Sequence, residues 1–195
     1  MAGNAVNIGP RRWGRWRIAA LAVAALLLLL PLAAMQFTDE VDWTALDFVF
    51  MGALLGAVGL GAELAVRKTR NVAYRMGACA ALAAAFLLIW INGAVGIIGS
   101  EQEDANLLYG GVLGVALIGA TAARFRPAGM ALAMSATAFA QALVPLAAST
   151  FGLSSNALVW SPEVLVISGF FVALWLISAW LFWKGALEQT SAGAT

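Results

Sequence analysis

The chain is 195 residues long, 63% hydrophobic and only 11% charged, with a formal net charge of +1. A soluble domain of this size balances roughly half apolar against a quarter charged residues, so lipid is the solvent this composition requires. There is no histidine and one cysteine, Cys79, which excludes histidine-ligated haem or zinc, cysteine-ligated iron–sulfur clusters, intrachain disulfides, and Ser–His or Cys–His nucleophilic pairs.

Residues 1–17 form a basic, aromatic tail that ends in Arg11, Arg12, Trp13, Arg15, Trp16 and Arg17. That mixture suits the headgroup zone, where guanidinium groups meet phosphates and indole rings sit among carbonyls. Its place just ahead of an apolar run favours anchoring in a bilayer over nucleic-acid binding. The first span is predicted over 18–35, with Pro31 near its far end. A cleaved signal peptide is the competing account, but the run is long for one and no Ala-x-Ala site closes it. The connector that follows holds Asp39, Glu40, Asp42 and Asp47 and no base. Thr44 and Asp47 have the spacing of a capping box, so the second span should begin near Thr44 and cover 45–66. Along it, Gly52-xxx-Gly56 matches the small-xxx-small pattern that lets helices approach closely in lipid. Glu63 stands four residues before Arg67, the favoured order for a helical ion pair, and Arg67, Lys68, Arg70 and Arg75 make the next connector basic.

The third span is predicted over 76–99, with Asn92 in its second half and Cys79 as a small buried hydrophobe. A second acid-only connector holds Glu101, Glu103 and Asp104. The fourth span, 107–123, is near the minimum length for crossing, and Gly110 and Gly114 repeat the close-approach spacing. Arg124, Arg126 and Pro127 mark a turn into the fifth span, 129–151. There Thr137, Gln141, Pro145 and Ser149 recur at steps of four and share one face, and Pro145 deprives the Gln141 carbonyl of its usual helical donor. Ser161, Pro162 and Glu163 read as a cap, a first-turn proline and an acid at a helix start. The sixth span, 164–183, is bulky (Phe170, Phe171, Trp175, Trp180, Phe182, Trp183) and reads as facing lipid or a partner. Residues 184–195 are a small polar tail.

Charge distribution tests this layout. With both termini cytoplasmic, the inner segments hold four, four, two and one basic residues, which is all eleven, while the outer connectors and helix starts hold eight of the ten acids. The expectation is therefore an all-α, polytopic six-helix transmembrane bundle, N-in and C-in, with the glycine seams of the second and fourth spans packing at its centre. Gly52–Ala65 also aligns without gaps on Gly110–Ala123, matching glycines at 52/110, 56/114 and 61/119, as a duplicated hairpin would.

No ionisable residue lies near mid-depth in any span, which leaves a proton relay without a titrating group and retinal without a buried lysine. The candidate polar core is Asn92, Thr137, Gln141 and Pro145, read either as interhelical hydrogen bonding or as the lining of a small cavity. Asp39, Glu40, Asp42, Glu101, Glu103 and Asp104 form an acidic outer surface whose plainer role is topological. No catalytic residue, cofactor or metal is assigned. The pieces MQFTDEVDW (35–43), LIWINGAVGIIGSE (88–101) and ARFRPAGMA (123–131) resemble those of a family of small uncharacterised bacterial multi-spanning inner-membrane proteins. The resemblance covers roughly residues 35–145 and implies a bacterial inner membrane and several spans, but no activity. The sequence thus favours a non-enzymatic scaffold or accessory subunit, with the bilayer and a second copy or another membrane protein as partners. A small permease or channel for a neutral or cationic solute is the alternative.

Overall fold

The computed structural model describes residues 13–38 and 41–192, with side chains from 17 to 191. Helices make up 82% of the fold and no strand occurs among the described residues, so the chain is all-α. The elements are α1 (Trp13–Ala34), α2 (Ala45–Lys68), α3 (Val72–Ala94), a 3-10 turn (Asp104–Leu107), α4 (Leu108–Ala122), α5 (Pro127–Thr150), the single turn α6 (Asn156–Val159) and α7 (Pro162–Ala192). Six of them are long and apolar enough to cross a membrane, which makes this a multi-pass membrane protein by length and composition. The chain divides into two units, 1–59 and 60–195.

In the first unit, Leu21, Leu26, Leu30, Val49 and Phe50 are all exposed, a surface suited to hydrocarbon rather than water. The start of α2 is fixed as the sequence suggests. Asp47 accepts from the backbone N–H of Thr44 at 2.7 Å and from its hydroxyl at 2.8 Å. Asp39 and Glu40 lie outside the described residues.

The second unit is organised around α7, which packs against α5 and α3, while α4 packs against α5. Phe171, Trp175 and Phe182 are fully buried, whereas Phe170, Trp180 and Trp183 are exposed. The expectation that this helix faces lipid or a partner therefore needs correction. It presents one aromatic side outward and buries the other, because residues 171, 175, 178 and 182 recur at helical spacing towards α3 and α5. Small residues permit the approach: a Cβ on Gly77 would sit 3.2 Å from the Phe182 ring, and one on Gly185 3.0 Å from Asn71 Oδ1. Ser178 Oγ donates to the Gly77 carbonyl at 2.8 Å across the same contact. Cys79 is exposed, also against expectation, because α3 turns Tyr74, Gly77, Ala84 and Leu88 inward and Cys79 lies on the other side.

Several boundaries differ from the sequence reading, α1 among them, which starts at Trp13 rather than 18. α3 starts at Val72, where Asn71 caps the Tyr74 N–H at 2.7 Å, and it stops at Ala94 rather than Gly99. Gly96 and Gly99 take φ of +71° and +68°, conformations that end a helix and that a side chain resists. α7 runs on to Ala192 through the stretch expected as a polar tail, since Ala186, Leu187, Glu188 and Gln189 are strong helix formers that outweigh Gly185.

Candidate functional site

The buried polar residues of the second unit concentrate on α5 and its neighbours. α5 buries an arc of residues in which Thr137, Gln141 and Pro145 stand one turn apart. Ala133 marks the side facing α4, since a Cβ on Gly119 would lie 2.8 Å from its Cβ. At about 100° per residue, Gln141 lies about 80° round from Ala133, in the middle of the buried arc. Gln141 is 0% exposed, and neither Oε1 nor Nε2 has a partner among the described residues. Pro145 has no N–H to offer the Gln141 carbonyl either. Thr137 differs, because its hydroxyl donates to the Ala133 carbonyl at 2.8 Å within its own helix.

Trp175 of α7, a helix that packs against both α5 and α3, is 1% exposed, and its indole Nε1 also lacks a partner among the described residues. Close contacts between helices set the heights. Gly119 meets Ala133 and Ala123 meets Gly129, so α4 and α5 run antiparallel, and Tyr109 Oη lies 3.5 Å from Ser168 Oγ between α4 and α7. On that register Gln141 lies within about a turn of Phe171, and Thr137 within about a turn of Trp175. Helical side chains lean towards the N-terminus of their own helix. On antiparallel α5 and α7, Gln141 and Trp175 therefore lean towards a common level. An unpaired buried amide or indole N–H costs about 1–3 kcal/mol, so this pair sits where the fold has spent stability.

A second buried amide, Asn106, is one the sequence reading missed. It is 3% exposed and makes four hydrogen bonds. Its Oδ1 accepts from the N–H groups of Ile97 (3.1 Å) and Ile98 (3.0 Å), while Nδ2 donates to the carbonyls of Ile98 (3.1 Å) and Ser100 (2.6 Å). The loop after α3 is thus clasped, with Ile97 and Ile98 buried beneath it. Gly96 is required there: a Cβ would lie 2.4 Å from the Ser100 carbonyl carbon, and backbone atoms cannot yield. Asn92 joins the clasp, its Nδ2 donating to the Asn106 carbonyl at 3.2 Å while its Oδ1 has no partner. The structure therefore separates Asn92 from Thr137, Gln141 and Pro145. Tyr74 beside Phe182 and Ser178 beside Gly77 set the α3–α7 register, and on it Asn92 lies roughly two turns from the height of Gln141. The signal for Asn106 was a lone asparagine directly ahead of an apolar helix, behind the paired glycines 96 and 99.

Charge is segregated by bundle end. At one end, Lys68 Nζ donates to the Arg124 carbonyl at 3.2 Å and lies 5.3 Å from the Phe125 ring centre, and Tyr74 donates to the Phe125 carbonyl at 2.9 Å. Arg75 reaches back to the carbonyls of Thr69 (2.8 Å) and Val66 (2.9 Å). Arg124 and Phe125 both have positive φ, +50° and +55°, so each carbonyl of this strained pair is held by a side chain from another segment. Glu101 and Asp104 are exposed at the opposite end of the unit and Glu103 is half-buried. Asp42, in the other unit, is exposed as well. Among the described residues no three acids or cysteines gather to hold a metal.

The glycine seam of α4 does not pack inside its own unit. A Cβ on Gly110 or Gly114 would meet nothing within 4 Å, and one on Gly52 or Gly56 meets nothing in its own unit. The packing glycines are instead Gly61, against Leu82, and Gly119, against Ala133. These are equivalent positions in the gap-free alignment of the two segments, so matched glycines behave alike in both hairpins. The physical reason is that α4 turns Tyr109, Val112 and Ala120 inward and leaves its glycine side outward. No family model, curated protein or solved structure matches the chain.

Proposed function

We propose that this chain is a non-enzymatic scaffold or accessory subunit of a bacterial inner membrane, oriented N-in and C-in, that associates through its open glycine faces. The observation that carries the reading is the Gly110-xxx-Gly114 seam of α4, which offers a backbone surface that nothing in its own unit covers. In lipid, where no hydrophobic driving force brings helices together and close van der Waals packing must, such seams are where helices meet. The exposed aromatics of α7 (Phe170, Trp180, Trp183) lend further outward area. The orientation rests on the basic end of the bundle facing the cytoplasm, and a reporter fused after Ser100 should be accessible only from outside.

The association is tested by purification in mild detergent. Gly110→Leu with Gly114→Leu should lower recovery of a stoichiometric partner, or of the self-associated form, at least about tenfold, while thermal stability stays within about 2 °C, since the added side chains meet nothing inside the unit. Gly119→Leu is the control that should instead destabilise the fold. Unchanged recovery in the double variant would remove the reading. A second reading, a small permease or channel for a neutral or cationic solute, draws on the orphan amide of Gln141. It requires solute flux in proteoliposomes that is lost on Gln141→Leu.

A further inference from the structure

We infer that Gln141 and Trp175 form a binding site inside the bundle for one small neutral molecule that carries both a hydrogen-bond donor and an acceptor. Three unpartnered polar atoms point to it: Gln141 Oε1, Gln141 Nε2 and Trp175 Nε1, on residues 0% and 1% exposed. They offer one acceptor oxygen and three N–H donors, on two packed helices whose side chains lean towards one level. Pro145 withholds its N–H from the Gln141 carbonyl, which leaves another acceptor without its usual i+4 donor. The side chains of Gln141 and Trp175 are thus buried with no partner among the described residues, a state that native structures show only where something else meets the group.

The ligand class follows from what surrounds them. Among the described residues the buried polar ones are Asn106, Thr137, Gln141, Ser168 and Ser178, none of them ionisable. An ion would enter without a counter-charge, so the occupant is neutral. Phe171 and Trp175 are both buried and α5 packs against α7, which leaves room for only a few heavy atoms. Water and small amides, ureas or alcohols share this chemistry. The inference uses the same orphan amide as the permease reading but does not require transport. An occupied site without flux would remove the permease reading and leave this one standing.

The test turns on the sign of a stability change. If a molecule bridges the two residues, Gln141→Leu and Trp175→Phe each lower the melting temperature of the detergent-solubilised full chain by about 3 °C or more, and the double variant loses little beyond the larger single effect. If the amide is an uncompensated orphan, Gln141→Leu raises the melting temperature, and that outcome overturns the proposal. So does strict additivity of the two losses. Because either variant could fold poorly, the wild-type protein is examined directly. Solvent extraction and mass spectrometry should recover a small neutral compound bound one per chain. Failing that, solid-state NMR should show a cross-peak from the Trp175 indole N–H to water. A retained compound identifies a metabolite as the source, and a water cross-peak alone identifies solvent. The absence of both signals would overturn the inference.

Discussion

Asn106 and Gln141 are both amides buried in the same unit, 3% and 0% exposed, and the fold treats them in opposite ways. Asn106 has every side-chain valence engaged by backbone within eight or nine residues of itself. Gln141 has none engaged. A lipid-embedded protein gains nothing from an amide that could as well be leucine, so each must be retained for what it bonds. For Asn106 the partner is the chain itself, and the residue closes a loop that no regular element can close. For Gln141 the partner lies outside the chain's own hydrogen-bonding groups. The difference teaches that burial of an amide does not by itself mark a site, whereas burial together with unmet valences does.

The comparison would break most plainly at Asn106. Asn106→Leu removes four hydrogen bonds and strands two backbone N–H groups and two carbonyls beneath the loop. At about 1–3 kcal/mol for each orphaned group, partly relieved by rearrangement, the loss should be on the order of 4 kcal/mol. Chemical or thermal unfolding in detergent checks it. A loss under about 1 kcal/mol would mean that the clasp is ornamental and that the contrast with Gln141 has no energetic content. Gly96→Ala sharpens the same point without touching the amide. Its new Cβ would collide with the Ser100 and Glu101 backbone at 2.4–2.6 Å and would need a φ of +71°. A destabilisation of roughly 2–3 kcal/mol is expected, with the loop rather than the helices becoming protease-sensitive.

How much of this was legible beforehand depends on which physical signal each residue emits. Hydropathy and charge alternation are summed over some twenty residues, and they delivered six spans and the polar face of α5 including Gln141. They could not say which side of an apolar helix faces protein, because lipid and protein interior look alike to an apolar side chain. Hence the glycines at 110 and 114 and the aromatics of α7 were placed the wrong way round, the former open and Phe171, Trp175 and Phe182 inside. Asn106 was lost for another reason. Its partners are backbone groups of a loop set by two positive-φ glycines, and the extended apolar run to Gly99 made that loop read as helix.

Asn92 is the intermediate case, one half of its amide bonded and the other not. Asn92→Leu should cost about 1 kcal/mol, between the two extremes, because it gives up one hydrogen bond and also relieves one orphaned oxygen. An effect as large as that of Asn106→Leu would show that the two residues act as a single clasp. Additivity in the double variant distinguishes the cases.

The smallest effect is expected at Thr137, and it tests whether the orphan status of Gln141 extends along the helix. The Thr137 hydroxyl gives its proton to the Ala133 carbonyl at 2.8 Å, a carbonyl of its own helix. Its oxygen can still accept, and the register places it within about a turn of Trp175. Thr137→Val keeps the shape and removes the hydroxyl. If that oxygen accepts nothing, stability should change by less than about 0.5 kcal/mol, since a back-bond to the same helix contributes little. If instead the change approaches that of Trp175→Phe and vanishes when Trp175 is already phenylalanine, the indole N–H is satisfied by Thr137. Gln141 would then be the one truly unmet group in the core, and its contrast with Asn106 would narrow to a single side chain.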